Sequence, residues 1–118
     1  MVNDTENDSF KKHIDDTLTA GDGLCNEEVV SLVVQEGPER VNEIIDWGTK
    51  FDKDKDGDYK RGKEGGHSEH RILHHKDVTG NEIERALIAE VSKYKNIVIQ
   101  NHWYVVDIIT STPTYHTT

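Results

Sequence analysis

A mixed α+β unit of the α/β class is what the sequence predicts, and three observations carry that prediction. Apolar residues recur at helical spacing through the first 48 residues and again over 79–94. β-Branched and aromatic residues crowd 97–109, as strands require. Between them lies RGKEGGHSEHRILHH, residues 61–75, which fits neither period and reads as a glycine-rich binding loop.

Three short helices are expected first. Ser9 or Asp8 caps one that carries Phe10, Ile14 and Leu18 on a single face, and Gly21 and Gly23 end it. Asn26 caps a second, with Glu27 and Glu28 at its positive end and Val29, Val30, Leu32, Val33 and Val34 turned inward. Gly37 stops that helix, and Pro38 opens a third that buries Val41, Ile44, Ile45 and Trp47 before Gly48. Residues 49–60 form a loop or hairpin tip about Asp56-Gly57, and 70–74 a short extended stretch. Thr79 and Glu82 have the spacing of a capping box, ahead of Ile83, Ala86, Leu87, Val91 and Tyr94. Residues 97–100 and 103–109 read as strands covered on both faces. The two ends, 1–8 and 111–118, look unstructured.

Composition narrows the function classes. Hydrophobic residues make up 33% and charged residues 31%, with a mean hydropathy of -0.77, so the core is expected to be marginal or borrowed from sequence elsewhere. A single cysteine, Cys25, allows no internal disulfide and points to a reducing cytosol; the N-terminus has no signal-peptide pattern. Net charge is -9, which argues against general nucleic-acid binding. That charge is uneven: residues 1–58 carry a balance of -10 and residues 59–118 a balance of +1. Over 60–76, Lys60, Arg61, Lys63, Arg71 and Lys76 face only Glu64 and Glu69, so an anion would be welcome there.

Several motifs are imitated and then broken. Residues 52–57 open like an EF-hand, but its twelfth position is Lys63, a cation where a bidentate Glu must stand. Gly57, Gly62 and Lys63 imitate a phosphate loop that lacks its Ser or Thr, and Gly21 and Gly23 a dinucleotide fingerprint that lacks its third glycine. His67, His70, His74 and His75 could gather zinc, although two glycines open the segment and no helix signature arranges the rings. A freestanding calcium- or zinc-binding module using 52–58 or 67–75 is therefore the alternative to the anion-facing reading.

The segments GDGLCNEEVV, EGPERVNEIIDWG, KEGGHSEHRILHHKDVTGNEIERAL and VVDII resemble the L-aspartate oxidases, a branch of the succinate dehydrogenase and fumarate reductase flavoprotein family. The resemblance spans most of residues 8–110 and implies a partial FAD-binding domain. It further implies an FAD enzyme that takes hydride from L-aspartate to give iminoaspartate. Oxygen or fumarate would reoxidise the flavin, and quinolinate synthase would use the product on the route to NAD. In that family the residue before Gly-Gly reaches the substrate, which assigns substrate binding to Glu64, Gly65 and Gly66. The backbone at Val105 and Val106 would run near the adenine end of FAD. The family's glycine fingerprint and its arginine-bearing capping domain are not found in this sequence. Covering roughly a fifth of such an enzyme, residues 1–118 are expected to be an internal segment of the FAD-binding domain, too short to close a dinucleotide site. The segment would be inactive alone, would carry no catalytic or metal-binding residue, would be cytoplasmic, and could oligomerise through its exposed strands.

Overall fold

The structure is a computed structural model, and it describes residues 7–109. Helix α1 (Phe10–Ala20) begins where the Ser9 hydroxyl accepts the Lys12 N–H, at 3.2 Å. It ends at Gly21, where a Cβ would stand 2.1 Å from the Cys25 Sγ. Cys25 turns back over the end of α1, half-buried, with its thiol against the Thr17 carbonyl at 3.7 Å.

Helix α2 (Glu27–Asp46) is one element of 20 residues, not the two short helices predicted. Its cap is as expected: the Asn26 side chain accepts the Val29 N–H at 3.1 Å. Pro38 lies inside it and does not restart it. A proline with helix formers on both sides suits either a first turn or an interior kink, and here Gln35, Glu36, Glu39 and Arg40 carry the helix across it. The predicted inward run is also corrected. Of the five apolar residues over 29–34 only Val34 is buried, whereas Val29, Leu32 and Val33 are more than half exposed. Five near-consecutive residues spread over about 200° of a helix, and α1 covers only one side.

Residues 53–59 form the expected hairpin tip. Lys53 bridges Tyr59, Gly57 takes a φ of +93°, and the Asp54 carboxylate accepts the N–H groups of Asp56 and Asp58. Strand β1 (Arg61–Gly62) then pairs antiparallel with β2 (Ile72–Leu73), with Arg61 opposite Leu73 and Gly62 opposite Ile72. Below them Phe51 is buried and meets Tyr59 edge-on at 6.4 Å.

Helix α3 (Thr79–Val91) exists as predicted, but its capping box does not form. The Thr79 hydroxyl accepts the His75 N–H, while the Glu82 carboxylate accepts the Lys50 N–H at 2.9 Å and pairs with Arg85. Arg85 also donates to the Gly48 carbonyl at 3.0 Å, so α3 is stitched to the chain leaving α2. Those partners, Arg85 first and the Lys50 N–H second, outweigh burial and hold the Glu82 carboxyl down to about 2.

Among the described residues the buried ones are Val34, Phe51 and Ala86 together with Thr49, Arg71 and Glu82, as many polar as apolar. The predicted strands at 97–100 and 103–109 are corrected. Among the described residues these stretches belong to no strand, and Val98, Trp103, Tyr104, Val105, Val106, Ile108 and Ile109 are each at least three-quarters exposed. β-Branched composition favours an extended backbone but supplies no partner for its hydrogen bonds. Of the ends predicted to be unstructured, 1–6 and 111–118 lie outside the described residues. Asp8 is held in an ion pair with Arg71. No helix among the described residues is long and apolar enough to cross a membrane.

Candidate functional site

The glycine-rich segment leaves β1 at Gly62, turns at 64–67, runs beside α1 and returns into β2. The His67 N–H closes the turn on the Glu64 carbonyl at 3.0 Å, and Gly66 sits at a φ of +84°. A side chain at Gly66 would be strained by that backbone and would come within 3.1 Å of the Ala20 Cβ. Gly65 differs, because a Cβ there would meet nothing within 4 Å. One glycine serves the fold, and the other leaves backbone open on its free side.

Glu64, Gly65 and Gly66 are thus brought together. Glu64 lines an open cleft of about 690 Å³ with Lys63, His74, Lys76, Asp77 and the start of α3 at Thr79 and Gly80. Two lysine ammoniums and two carboxylates share one mouth. Among the described residues the Glu64 carboxylate has no hydrogen-bond or ion-pair partner. Lys76 is fixed at a φ of +47° by giving its N–H to Asp52 at 2.9 Å. Asp52 faces His74 at 3.3 Å, and the Lys76 N–H, against a smaller effect of burial, holds its carboxyl below the usual range. Val105 and Val106 lie in the exposed 103–109 stretch and line none of this cleft.

Arg71 corrects the expectation that five cations of 60–76 are available to an anion. It is 1% exposed, giving two hydrogen bonds to Asp8, at 2.9 and 2.7 Å, and one to Asp16 at 2.6 Å. Its Nη1 also lies 3.0 Å from the His67 Nδ1, which must accept because a guanidinium has only donors. The hydrogen bond to Asp8 leads in raising the Arg71 pKa further above its ordinary value, and the same contact leads in lowering that of Asp8. Burial pushes Asp16 up, yet the Ser68 N–H, the Arg71 guanidinium and the Ser68 hydroxyl overcome it and hold this carboxyl well below the carboxylate range. Burial likewise leads in pushing His13 down, with Arg71 and His67 adding to it; its ring lies 5.3 Å from that of His67.

Asp8, Asp16 and Ser68 were missed by sequence reasoning. A charge balance taken within 60–76 misses them, because the partners of Arg71 lie 55 and 63 residues away in the chain. A signal was present: Lys12, Asp16 and Ala20 form a stripe on α1 opposite Phe10, Ile14 and Leu18. Among the described residues no group of three or more His, Cys, Asp or Glu is arranged to hold a metal ion. The described residues also contain no strand, glycine turn and helix in succession, so they do not themselves build a dinucleotide phosphate cradle.

Comparison with known proteins gives a consistent result. The chain is 47% identical over 104 residues to the chloroplastic L-aspartate oxidase 2-a of Nicotiana tabacum, a match covering 88% of this chain and 16% of that protein. It is 41% identical over 110 residues to the L-aspartate oxidase of Yersinia pestis, covering 90% and 21%. Among solved structures it resembles the Mycobacterium smegmatis Sdh1 complex in its apo form, with a TM-score of 0.71 and 37% identity over 77% of this chain and 15% of that one. It also resembles the E. coli quinol fumarate reductase FrdA, with a TM-score of 0.73 and 26% identity over 80% and 16%. The chain therefore spans between 16% and 21% of the length of these curated relatives. Residues 1–117 match the FAD binding domain family, and with the match running over all but one residue of the chain, it is to that family that the protein belongs.

Proposed function

We propose that this chain is the part of an FAD-dependent L-aspartate oxidase that receives the substrate's ammonium group, on Glu64. The observation that carries the reading is the state of that carboxylate, which is exposed and without a partner among the described residues beside an open glycine. Arg71, the buried cation seven residues on, is already committed to Asp8 and Asp16 and so does not neutralise it. L-Aspartate differs from succinate by one ammonium. A carboxylate that pairs with it favours aspartate, and left facing a ligand that has no ammonium it disfavours that ligand. Gly65 and Gly66 let the ligand approach the backbone.

The parent enzyme would oxidise L-aspartate to iminoaspartate with oxygen or fumarate as acceptor, feeding quinolinate synthase on the route to NAD. FAD supplies the hydride acceptor when bound. Because the described residues build no cradle for it, no step of that chemistry is assigned to them, and the chain is inactive on its own. The backbone of Val105 and Val106 runs along the adenine end of FAD, where their exposure leaves room for a partner. Self-association through the uncovered 97–109 stretch belongs to the same reading. Relatives named chloroplastic stand beside bacterial ones, and this chain is assigned to the cytoplasm.

In the full-length enzyme, Glu64→Gln is expected to cost about 1.5 to 3 kcal/mol in kcat/KM for L-aspartate and far less for fumarate reduction. Equal losses on the two substrates would remove the discrimination argument.

A further inference from the structure

Resting on that reading of Glu64, we propose that Asp16 is a positioning residue for it, and that the polar stripe of α1 is the template against which the Gly65-Gly66 turn is set. Successive turns of the helix meet successive points of the loop running the other way. Lys12 pairs with Glu69, Asp16 takes Ser68 and Arg71, and Ala20 abuts Gly66. Asp16 bears most of the register. One of its oxygens, Oδ2, accepts the Ser68 N–H at 2.8 Å, the Ser68 hydroxyl at 2.8 Å and the Arg71 Nη1 at 2.6 Å. Its side chain is only 17% exposed; the contact with Arg71 is part-buried, whereas the two with Ser68 are open to water.

From Ser68 the path to Glu64 is short and closed. Ser68 is held by Asp16, the next residue back, His67, gives its N–H to the Glu64 carbonyl, and Gly66 between them takes a left-handed φ with a Cβ position only 3.1 Å from the Ala20 Cβ. Among the described residues no hydrogen bond or ion pair holds the Glu64 carboxylate, so what positions it is the turn on which its backbone sits. Asp16 acts through that backbone and touches no ligand. Ammonium recognition is sensitive to such placement, because a charge-assisted hydrogen bond is lost over a displacement of about 1 Å.

The test compares Asp16→Asn, Ser68→Ala, Glu64→Gln and the Asp16→Asn/Glu64→Gln pair in the FAD-loaded full-length enzyme, by kcat/KM for L-aspartate oxidation against that for fumarate reduction. Asp16→Asn is expected to lower the aspartate-to-fumarate ratio by about tenfold or more. Ser68→Ala, which removes one of three donors, shifts the ratio the same way by less and carries the test if Asp16→Asn does not fold. The double variant loses no more than Glu64→Gln alone, because once the carboxylate is gone its placement no longer matters. A second readout is independent of activity. In the full-length enzyme, amide exchange at 65–68 speeds up in Asp16→Asn while that of α3 is unchanged. Equal losses on both reactions, additive losses in the double variant, or unaltered exchange at 65–68 would overturn the positioning role. If Glu64→Gln leaves the ratio unchanged while Asp16→Asn still frees the turn, the reading of Glu64 has failed instead, and the positioning of a specificity residue fails with it.

Discussion

The segments 64–76 and 97–109 make an instructive pair. Composition predicts covered strands for the second, rich in β-branched and aromatic residues, and a binding loop with one short extended stretch for the first, rich in glycine, histidine and charge. The structure keeps the loop and not the terminal strands. The polar segment is anchored to α1 and to the hairpin through Asp8, Asp16, Asp52 and Lys12, while the apolar one makes no strand and exposes most of its surface. What decides between them is whether the partners lie in this chain. An ion pair brings its own complement, whereas a strand needs a neighbouring strand.

Removing the anchor is the most severe way to break that contrast. Arg71→Ala would leave Asp8 and Asp16 with their carboxylates largely buried and their shared cation gone, at a cost of about 3 to 5 kcal/mol. Urea denaturation followed by circular dichroism checks this, and a midpoint close to wild type would mean the pair is ornamental.

Acid should undo the same anchor by degrees. Asp8 and Asp16 have folded pKa values lowered from 3.8, so the stability they contribute is complete above that value and is lost as pH falls through their folded values. His13 is lowered from 6.5, so it begins to cost stability once pH drops below that, when the unfolded chain takes up the proton first. Denaturation midpoints are therefore expected to be level above about pH 7, to decline gently below pH 6.5 and to fall steeply below pH 4. His13→Gln should abolish the gentle part only.

The two glycines sharpen the contrast further. Gly66→Ala forces a side chain into a left-handed φ and against Ala20, and is expected to cost about 1 to 3 kcal/mol. Gly65→Ala meets open space and should change stability by less than about 0.5 kcal/mol, so any loss of substrate binding it causes would be local. Least of all should come from the apolar segment. Val106→Asp is expected to shift the stability of this chain by under about 0.5 kcal/mol, since Val106 is 87% exposed. A large destabilisation there would show that 97–109 is packed after all.

What could be read from the sequence was local. Ser9 and Asn26 cap their helices and Gly57 makes its turn because each signal and its partner lie within a few residues. Pro38 misled because its fixed φ suits a helix start and a helix interior alike. Thr79 and Glu82 misled differently: their spacing is right for a capping box, but His75, Lys50 and Arg85 claim both side chains. Of the site, the glycine turn and the carboxylate before it were legible, and the family resemblance supplied their meaning. The positions that hold the turn were not, because Asp8 and Asp16 look like ordinary members of an acidic first half until the fold brings Arg71 to them.

The most direct measurement is a structure of the full-length flavoenzyme with L-aspartate, or an analogue it cannot oxidise, in place. Glu64 is expected to lie within hydrogen-bond distance of the ligand's ammonium, with Gly65 against the ligand and Asp16 still holding Ser68. A bound ligand whose ammonium is met by some other group, with the Glu64 carboxylate turned to solvent, would contradict the assignment.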